Sequence, residues 1–395
     1  MTGGTDGGTR ATTRTGRPLA CVVVNPSKPR ATATVRSLLE GELREAGYAG
    51  PVWLETSVSE PGTMQARLAL AAGASLVVAA GGDGTVRSVA AGLAGTGAQM
   101  GIVPLGTANL AARNLGVPVG DARAAARVVA HGVDLPADLA WVCTEPWSDP
   151  GALPDPTPPG DPRGRADSSR TKGSPPTPAD PADSRQLSAE AARAVRTIQR
   201  ATRRPHQWTR PTLGDEHACM VVAGIGFDAG LVASTRPALK ARVGWGAYAL
   251  AAMENLGSPR MDLVLSLRDE AGARRVERLR ARNLLVANGG RLPAGITLLP
   301  QARTDDGLLD VAAIDTVAGL AGWSSLARQV LPPYAAHYSE SGRSLGRVML
   351  RRGGEVAVQL SAPALVEVAG DLLAPTQGMR VRIDPGALLI RRPAA

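Results

Sequence analysis

Gly81-Gly82-Asp83-Gly84-Thr85 sets one carboxylate among glycines directly after an apolar run, a combination suited to gripping the phosphates of a nucleotide. Glycines let the backbone approach a phosphate closely and turn its N–H groups inward, and Thr85 can add a hydroxyl donor or open a helix. Asp83 supplies the negative charge that organises magnesium or water around a triphosphate. A second turn, within Gly101-Ile102-Val103-Pro104-Leu105-Gly106-Thr107-Ala108-Asn109, ends the next apolar run and would give the same crevice its other wall. Ser27-Lys28 after Asn25-Pro26 also looks like a phosphate turn, but it lacks the glycines of a P-loop, so Walker-type chemistry is not expected. None of His131, His206, His217 and His337 is spaced with Cys, Asp or Glu as a metal cluster would be, and each is expected at the surface or in packing.

The elements that must hold these turns can be read from periodicity. Leu19 to Asn25 is a short continuous apolar run, as in a strand buried on both faces. Further strands are predicted at Val52–Leu54, Ser75–Ala80 and Gln99–Val103. Helices are predicted over Thr34–Ala46, Thr63–Ala72, after Thr85, over Ala108–Asn114 and over Asp121–Ala130. Strand and helix alternate, so residues 18–135 read as a doubly wound, Rossmann-like α/β domain whose βα turns face a nucleotide crevice. From about Asp138 the pattern becomes strand-like, at Ala218–Ala223, Met261–Leu267, Asn283–Ala287, Leu309–Ile314, Val348–Leu350 and Glu355–Leu360. Residues 136–395 are therefore expected to form a β-rich domain, with the last strand free to return to the first domain.

Residues 1–17 read as a disordered tail. An insertion at 145–210 opens with a stretch rich in Pro, Asp, Ser and Gly, which has too little apolar area to offset the entropy of ordering. Beyond it, Gln186–Arg204 has Leu187, Ala191, Val195 and Ile198 on one helical face, with arginines recurring at spacings of three and four. That is the pattern of a basic interfacial helix or of an ordinary exposed one. Trp245, Tyr248 and Trp323 lie in apolar helical-looking stretches and are expected in the core.

The chain of 395 residues has 44 Lys and Arg against 35 Asp and Glu, a formal net charge of +9, which favours an anionic partner. No zinc-finger spacing, basic-zipper heptad or RNP-like aromatic pair is present, so no nucleic-acid partner is expected. Cys21, Cys143 and Cys219 are odd in number and far apart, as reduced thiols of a cytosolic protein would be. The first residues lack the apolar core of a signal peptide, and nowhere do about 18 uncharged apolar residues run together. No transmembrane segment is expected, and any membrane contact should be peripheral.

GGDGT followed by PLGTAN and ARNLGVP resembles the catalytic domain shared by diacylglycerol kinases, sphingosine and ceramide kinases and their bacterial lipid-kinase relatives. Further matches are Gly224-Ile225-Gly226-Phe227-Asp228-Ala229, Lys240 with Gly244-Trp245-Gly246-Ala247-Tyr248, Asn288-Gly289-Gly290, and Pro300 with Asp305-Asp306-Gly307-Leu308-Leu309-Asp310. The resemblance covers about residues 19–143 and 216–390. It implies an N-terminal α/β domain similar to those of NAD kinases and phosphofructokinases, a C-terminal β-sandwich, and ATP in the cleft between them. It also implies nucleotide contacts from Asn25, Pro26, Thr56, Gly81, Gly82, Asp83, Gly84, Thr85, Val86, Arg87, Gly106, Thr107 and Asn109. A structural magnesium is implied at Asp306 with the carbonyls of Arg303 and Leu308. Asp371, the acid of Ala369-Gly370-Asp371, matches the family's general base.

Two departures stand out: Ala369 replaces the first acid of that tripeptide, and Leu110 stands where many relatives have Asp. The resemblance implies an ATP- and Mg²⁺-dependent kinase that phosphorylates diacylglycerol or a similar lipid, giving phosphatidic acid or its equivalent. Such an enzyme would be cytoplasmic, peripherally bound to an anionic membrane, and able to form homodimers. The alternatives are a NAD kinase-like phosphotransferase and a catalytically weakened lipid- or nucleotide-binding protein.

Overall fold

Leu19–Val24 (β1) is buried along its whole length, and its alternate residues feed two different cores. Cys21 and Val23 join one and Ala20, Val22 and Val24 the other, as the twofold period of a strand dictates. The computed structural model describes residues 16–144, 212–213, 216–226, 260–291, 299–316 and 346–394. The N-terminal tail up to residue 15, the whole 145–210 insertion with its basic stretch, Phe227-Asp228-Ala229, Lys240, Gly244–Tyr248, Trp323, His206 and His337 lie outside the described residues.

In the first half, α1 (Ala33–Glu45), β2 (Ala49–Glu55), α2 (Thr63–Ala71), β3 (Ala74–Gly81), α3 (Asp83–Leu93), β4 (Gln99–Pro104), α4 (Leu110–Asn114) and α5 (Ala122–His131) follow β1. All four strands are parallel, in the order β2-β1-β3-β4. Leu39 and Leu43 of α1 and Val129 of α5 cover one face of this sheet, and Ala66 of α2 with Val86 and Val89 of α3 cover the other. Buried on both sides, the strands carry continuous apolar runs rather than alternating ones. Helix starts follow local capping: Thr32 Oγ1 accepts from Val35 N at 3.4 Å, and Asp121 Oδ1 accepts from Ala124 N at 3.0 Å.

The second half is built from β5 (Val133–Cys143), β6 (Thr212–Leu213), β7 (Glu216–Cys219), β8 (Val222–Gly226), β9 (Met261–Arg268), β10 (Arg274–Ala281), β11 (Asn283–Ala287), β12 (Leu309–Thr316), β13 (Gly346–Gly353), β14 (Glu355–Val368) and β15 (Asp371–Arg392). These strands pair with one another antiparallel around a core that includes Ile225, Leu265, Leu284, Leu309 and Val358. The architecture is thus an N-terminal α/β domain with parallel strands followed by an antiparallel β-rich domain. β15 joins them, because it pairs with β14 early in its length, with β5 later, and in parallel with β4 at Leu389 and Ile390. Among the described residues no helix is long and apolar enough to cross a membrane.

The run Ala218–Ala223, predicted as one strand, is two. β7 pairs with β5 and β6, whereas β8 pairs with β11 and β14, and the chain changes partners at Met220-Val221. Buried Asn288 secures the break: its Nδ2 donates to Met220 O at 3.3 Å and to Asp138 O at 3.0 Å, and its N–H donates to Val221 O at 2.7 Å.

β14 and β15 are joined by Ala369-Gly370, with φ of 50° and 94°. Two consecutive left-handed residues match the twist of a hairpin, and Asn-Gly is the favoured pair there, whereas alanine is strained in that region. Ala369→Asn is therefore expected to stabilise the fold by about 1 kcal/mol. Thermal unfolding checks this, and a lowered midpoint would count against a strained turn.

Candidate functional site

The two glycine turns meet backbone to backbone at the carboxyl ends of β3 and β4. Leu105 N donates to Gly81 O at 2.8 Å, and a Cβ on Gly106 would lie 2.6 Å from the Cα of Gly82. A Cβ on Gly81 would stand 2.5 Å from the Cβ of Thr85, so both positions require glycine for close approach. Gly84 differs, because nothing lies within 4 Å of the Cβ it lacks. Its missing side chain leaves open space beside the turn. Gly82 caps α3, so the N–H groups of the first helical turn face the crevice, and Val86 N donates to Gly82 O at 3.0 Å.

Around this floor the loops after β1, β2 and β4 converge. Asn25 Oδ1 accepts from Ser27 N at 3.0 Å and from Ser27 Oγ at 2.7 Å, while its Nδ2 reaches Thr85 Oγ1 at 3.5 Å. Pro26 is exposed, and Thr56, nearly buried just past β2, donates its N–H to Val24 O at 2.9 Å. Asn109, with φ of 49°, uses its amide on the second turn itself: Nδ2 donates to Gly106 O at 2.8 Å and Oδ1 accepts from Gly106 N at 2.9 Å. It shapes the turn and leaves Thr107 exposed beside it.

Lys28, in the Ser27-Lys28 stretch that looks like a phosphate turn without P-loop glycines, does reach this site. Its Nζ lies 3.9 Å from where a Cβ of Gly82 would be, which places an ammonium beside the glycine turn. The legible signal was a lysine shortly after a parallel strand, in a loop at the sheet edge where ligands bind.

Asp83 opens α3 and accepts a hydrogen bond from Ala111 N at 3.2 Å, so it also tethers the short helix α4. Burial pushes its carboxyl above the ordinary value, and the N–H groups of Ala111, Leu110 and Asn109 oppose that shift. With Leu110 apolar, Asp83 is the acid of this turn. An oxygen donor beside the two glycine turns is the ligand type that magnesium carried in by a nucleotide would take.

Arg87, one turn along α3, ties the phosphate turn to the second half of the molecule. Its side chain is only 5% exposed; Nη2 pairs with the Asp371 carboxylate and Nη1 donates to Val368 O at 3.1 Å. Asp371, the first residue of β15, is 61% exposed, so one carboxylate is held at Arg87 yet open to solvent. The sequence-predicted residues Asn25, Gly81 to Arg87, Gly106, Thr107, Asn109 and Asp371 thus surround one crevice, with Thr56 at the same sheet edge.

Arg303, Asp306 and Leu308 do not join them. Their loop lies against Pro385, far along β15 from Asp371. Asp306 Oδ1 accepts from Leu308 N at 3.1 Å, and its other oxygen pairs with Arg352. Asp138, buried beneath the loop, accepts from Gly307 N at 2.7 Å and from Gly386 N at 2.8 Å. The magnesium expected at Asp306 would meet the Arg352 guanidinium already paired with that carboxylate, and binding it would require the pair to open.

Comparison with known proteins places this geometry. The profile described as "Diacylglycerol kinase catalytic domain" matches residues 19–142, and "YegS C-terminal NAD kinase beta sandwich-like domain" matches residues 219–392. A Pseudomonas putida protein named "Probable lipid kinase YegS-like" is 45% identical over 84 residues, which is 21% of this chain and 28% of that protein. The chain therefore aligns with less than a third of that relative's length. A crystal structure from Bacillus anthracis str. Sterne superposes with a TM-score of 0.60 at 16% identity, covering 95% of this chain and 97% of the other. Another from the same organism, that of a diacylglycerol kinase, gives 0.56 at 15%, with the same coverage. These structures show a shared fold. With the catalytic-domain profile on the α/β half and its companion profile on the β-rich half, the chain belongs to the diacylglycerol kinase catalytic-domain family.

Proposed function

We propose that the protein is an ATP- and Mg²⁺-dependent lipid kinase that transfers the γ-phosphoryl group to the hydroxyl of diacylglycerol or a similar lipid, giving phosphatidic acid or its equivalent. The observation that carries this reading is the Arg87–Asp371 pair, which holds a carboxylate of the β-rich half against the phosphate turn of the α/β half. The carboxylate also neutralises buried Arg87, and its exposed side is what a phosphoryl acceptor could reach.

In this reading the N–H groups of the Gly81–Thr85 turn and the ammonium of Lys28 bind and orient the phosphates. Asp83 would hold magnesium carried in with ATP, and that ion would supply positive charge to the group being transferred. Asp371 takes the proton of the lipid hydroxyl as that oxygen attacks phosphorus in line. The new O–P bond forms, the bond to the ADP oxygen breaks, and ADP leaves. Family membership and the net charge of +9 support action from the cytoplasm at an anionic bilayer, which would concentrate the enzyme near its substrate.

A second reading rests on Leu110 and Ala369, which leave the site without two acids: a non-catalytic binder of lipid or nucleotide. Incubation with labelled ATP, Mg²⁺ and a panel of lipids separates the two. Phosphorylated lipid is expected, in amounts that rise with anionic vesicles and fall with added salt. Bound nucleotide without product from any lipid would favour the binder, and indifference to vesicle charge and salt would remove the membrane part.

A further inference from the structure

We infer that the guanidinium of Arg352 is the cation of the Asp305–Asp310 loop, so that this chain closes the loop with an internal charge instead of a bound metal ion. Backbone register sets the placement. β12 and β13 run antiparallel with Arg352 directly opposite Asp310, and Asp306 precedes β12 on the same loop. Arg352 Nη2 pairs with Asp306 Oδ2, and its Nε lies 3.6 Å from Asp310 Oδ2.

Asp310 makes the demand for positive charge plain. It is 6% exposed, and its Oδ2 is buried without a hydrogen-bond partner among the described residues. A buried carboxylate is costly unless a cation stands nearby, and Arg352 is that cation. The remaining acid of the loop, Asp305, faces Arg303 at 3.1 Å and Arg392 at 3.6 Å. Each carboxylate of the loop thus has a guanidinium within ion-pair distance.

The chemistry of the two kinds of cation differs in a way that matters here. Magnesium demands near-octahedral oxygen ligation at short range and gives up water reluctantly. One oxygen of Asp306 accepts from Leu308 N–H and the other is paired with Arg352, so a magnesium ion on this carboxylate would stand against a guanidinium that repels it and that it would have to displace. A guanidinium carries a permanent charge and a planar fork of donors, which can bridge two carboxylates from one position. The loop also packs on Pro385 and anchors through Asp138 to Gly386, so its closure helps fix the seam that β5 and β15 form between the two halves. A loop closed in this way stays closed whatever the magnesium concentration, and any dependence on magnesium then belongs to the nucleotide.

Thermal unfolding of the full chain without nucleotide, in chelator and in excess Mg²⁺, tests this. Wild type is expected to melt at the same temperature in both. Arg352→Gln is expected to melt lower in chelator and to regain part of the loss when Mg²⁺ is added, because the freed carboxylates can then take a metal. A wild-type midpoint that falls in chelator and recovers with Mg²⁺ would overturn the inference, as would an Arg352→Gln variant that melts like wild type. Should that variant not fold, Mn²⁺ titration of nucleotide-free wild type and Asp306→Asn followed by electron paramagnetic resonance decides. Equal Mn²⁺ binding by the two supports the internal cation, and loss of a bound Mn²⁺ in Asp306→Asn refutes it.

Discussion

Asp371→Asn is expected to lower kcat by about 10²–10⁴-fold while leaving the KM for ATP nearly unchanged, because it removes a proton acceptor and little else. Asparagine matches aspartate in size and keeps an oxygen for Arg87 Nη2, so the buried guanidinium does not lose its partner. Truncation to alanine would be harder to read. Among the described residues it would leave Arg87 with Val368 O as its remaining acceptor, its Nε having no partner there, and would mix a folding defect with a catalytic one. Steady-state kinetics with a lipid acceptor and a thermal melt of the same sample make the test. Phosphoryl transfer at the wild-type rate would remove Asp371 from the role of base. A reduced rate with an unchanged melting temperature would place the loss in chemistry. Arg87→Lys is a useful companion, since an ammonium cannot reproduce the fork that engages Val368 O and Asp371 together.

Gly106→Ala is expected to weaken ATP binding by about 10-fold or more and to destabilise the fold by roughly 1–3 kcal/mol. The new methyl would lie 2.6 Å from the Cα of Gly82 and 2.9 Å from Asn109 Oδ1, and the nearer contact is backbone, which cannot swing aside. Relief requires the two phosphate turns to part. Parting them moves the N–H groups that would converge on the phosphates. Gly84→Ala provides the contrast, because open space surrounds that position and the helix start tolerates alanine. Its melting temperature should match wild type, so any loss of ATP affinity there reports the ligand's own need for room. Calorimetric titration with ATP and Mg²⁺ reads both variants, and undiminished binding by Gly106→Ala would dissociate this crevice from the nucleotide.

The α/β half was legible because its signals are local. β1 shows a continuous apolar run that a strand buried on both faces requires, strand and helix patterns alternate, and the glycine turns carry their chemistry within a few residues. The β-rich half was less so. β10, Arg274–Ala281, reads as a solvated charged stretch and is a strand because it pairs along its whole length with β9 while its arginines stay largely exposed. The break at Met220-Val221 leaves no mark in composition, since what ends β7 is a change of pairing partner and not a change of residue type.

What the amino-acid order determined by itself is the local form of the two glycine turns, Gly81–Thr85 and Gly106–Asn109, and the strands that carry them, whose burial their own apolar runs dictate. What the tertiary structure decided is where the distant charges fall. Arg87 meets Asp371 and Arg352 meets Asp306 through strand pairings that bring together residues far apart in the chain, and Lys28 reaches Gly82 across the sheet edge. An arginine in sequence shows only its charge. Which carboxylate it neutralises is fixed by the register of β12 against β13 and by the entry of β15 between the two halves.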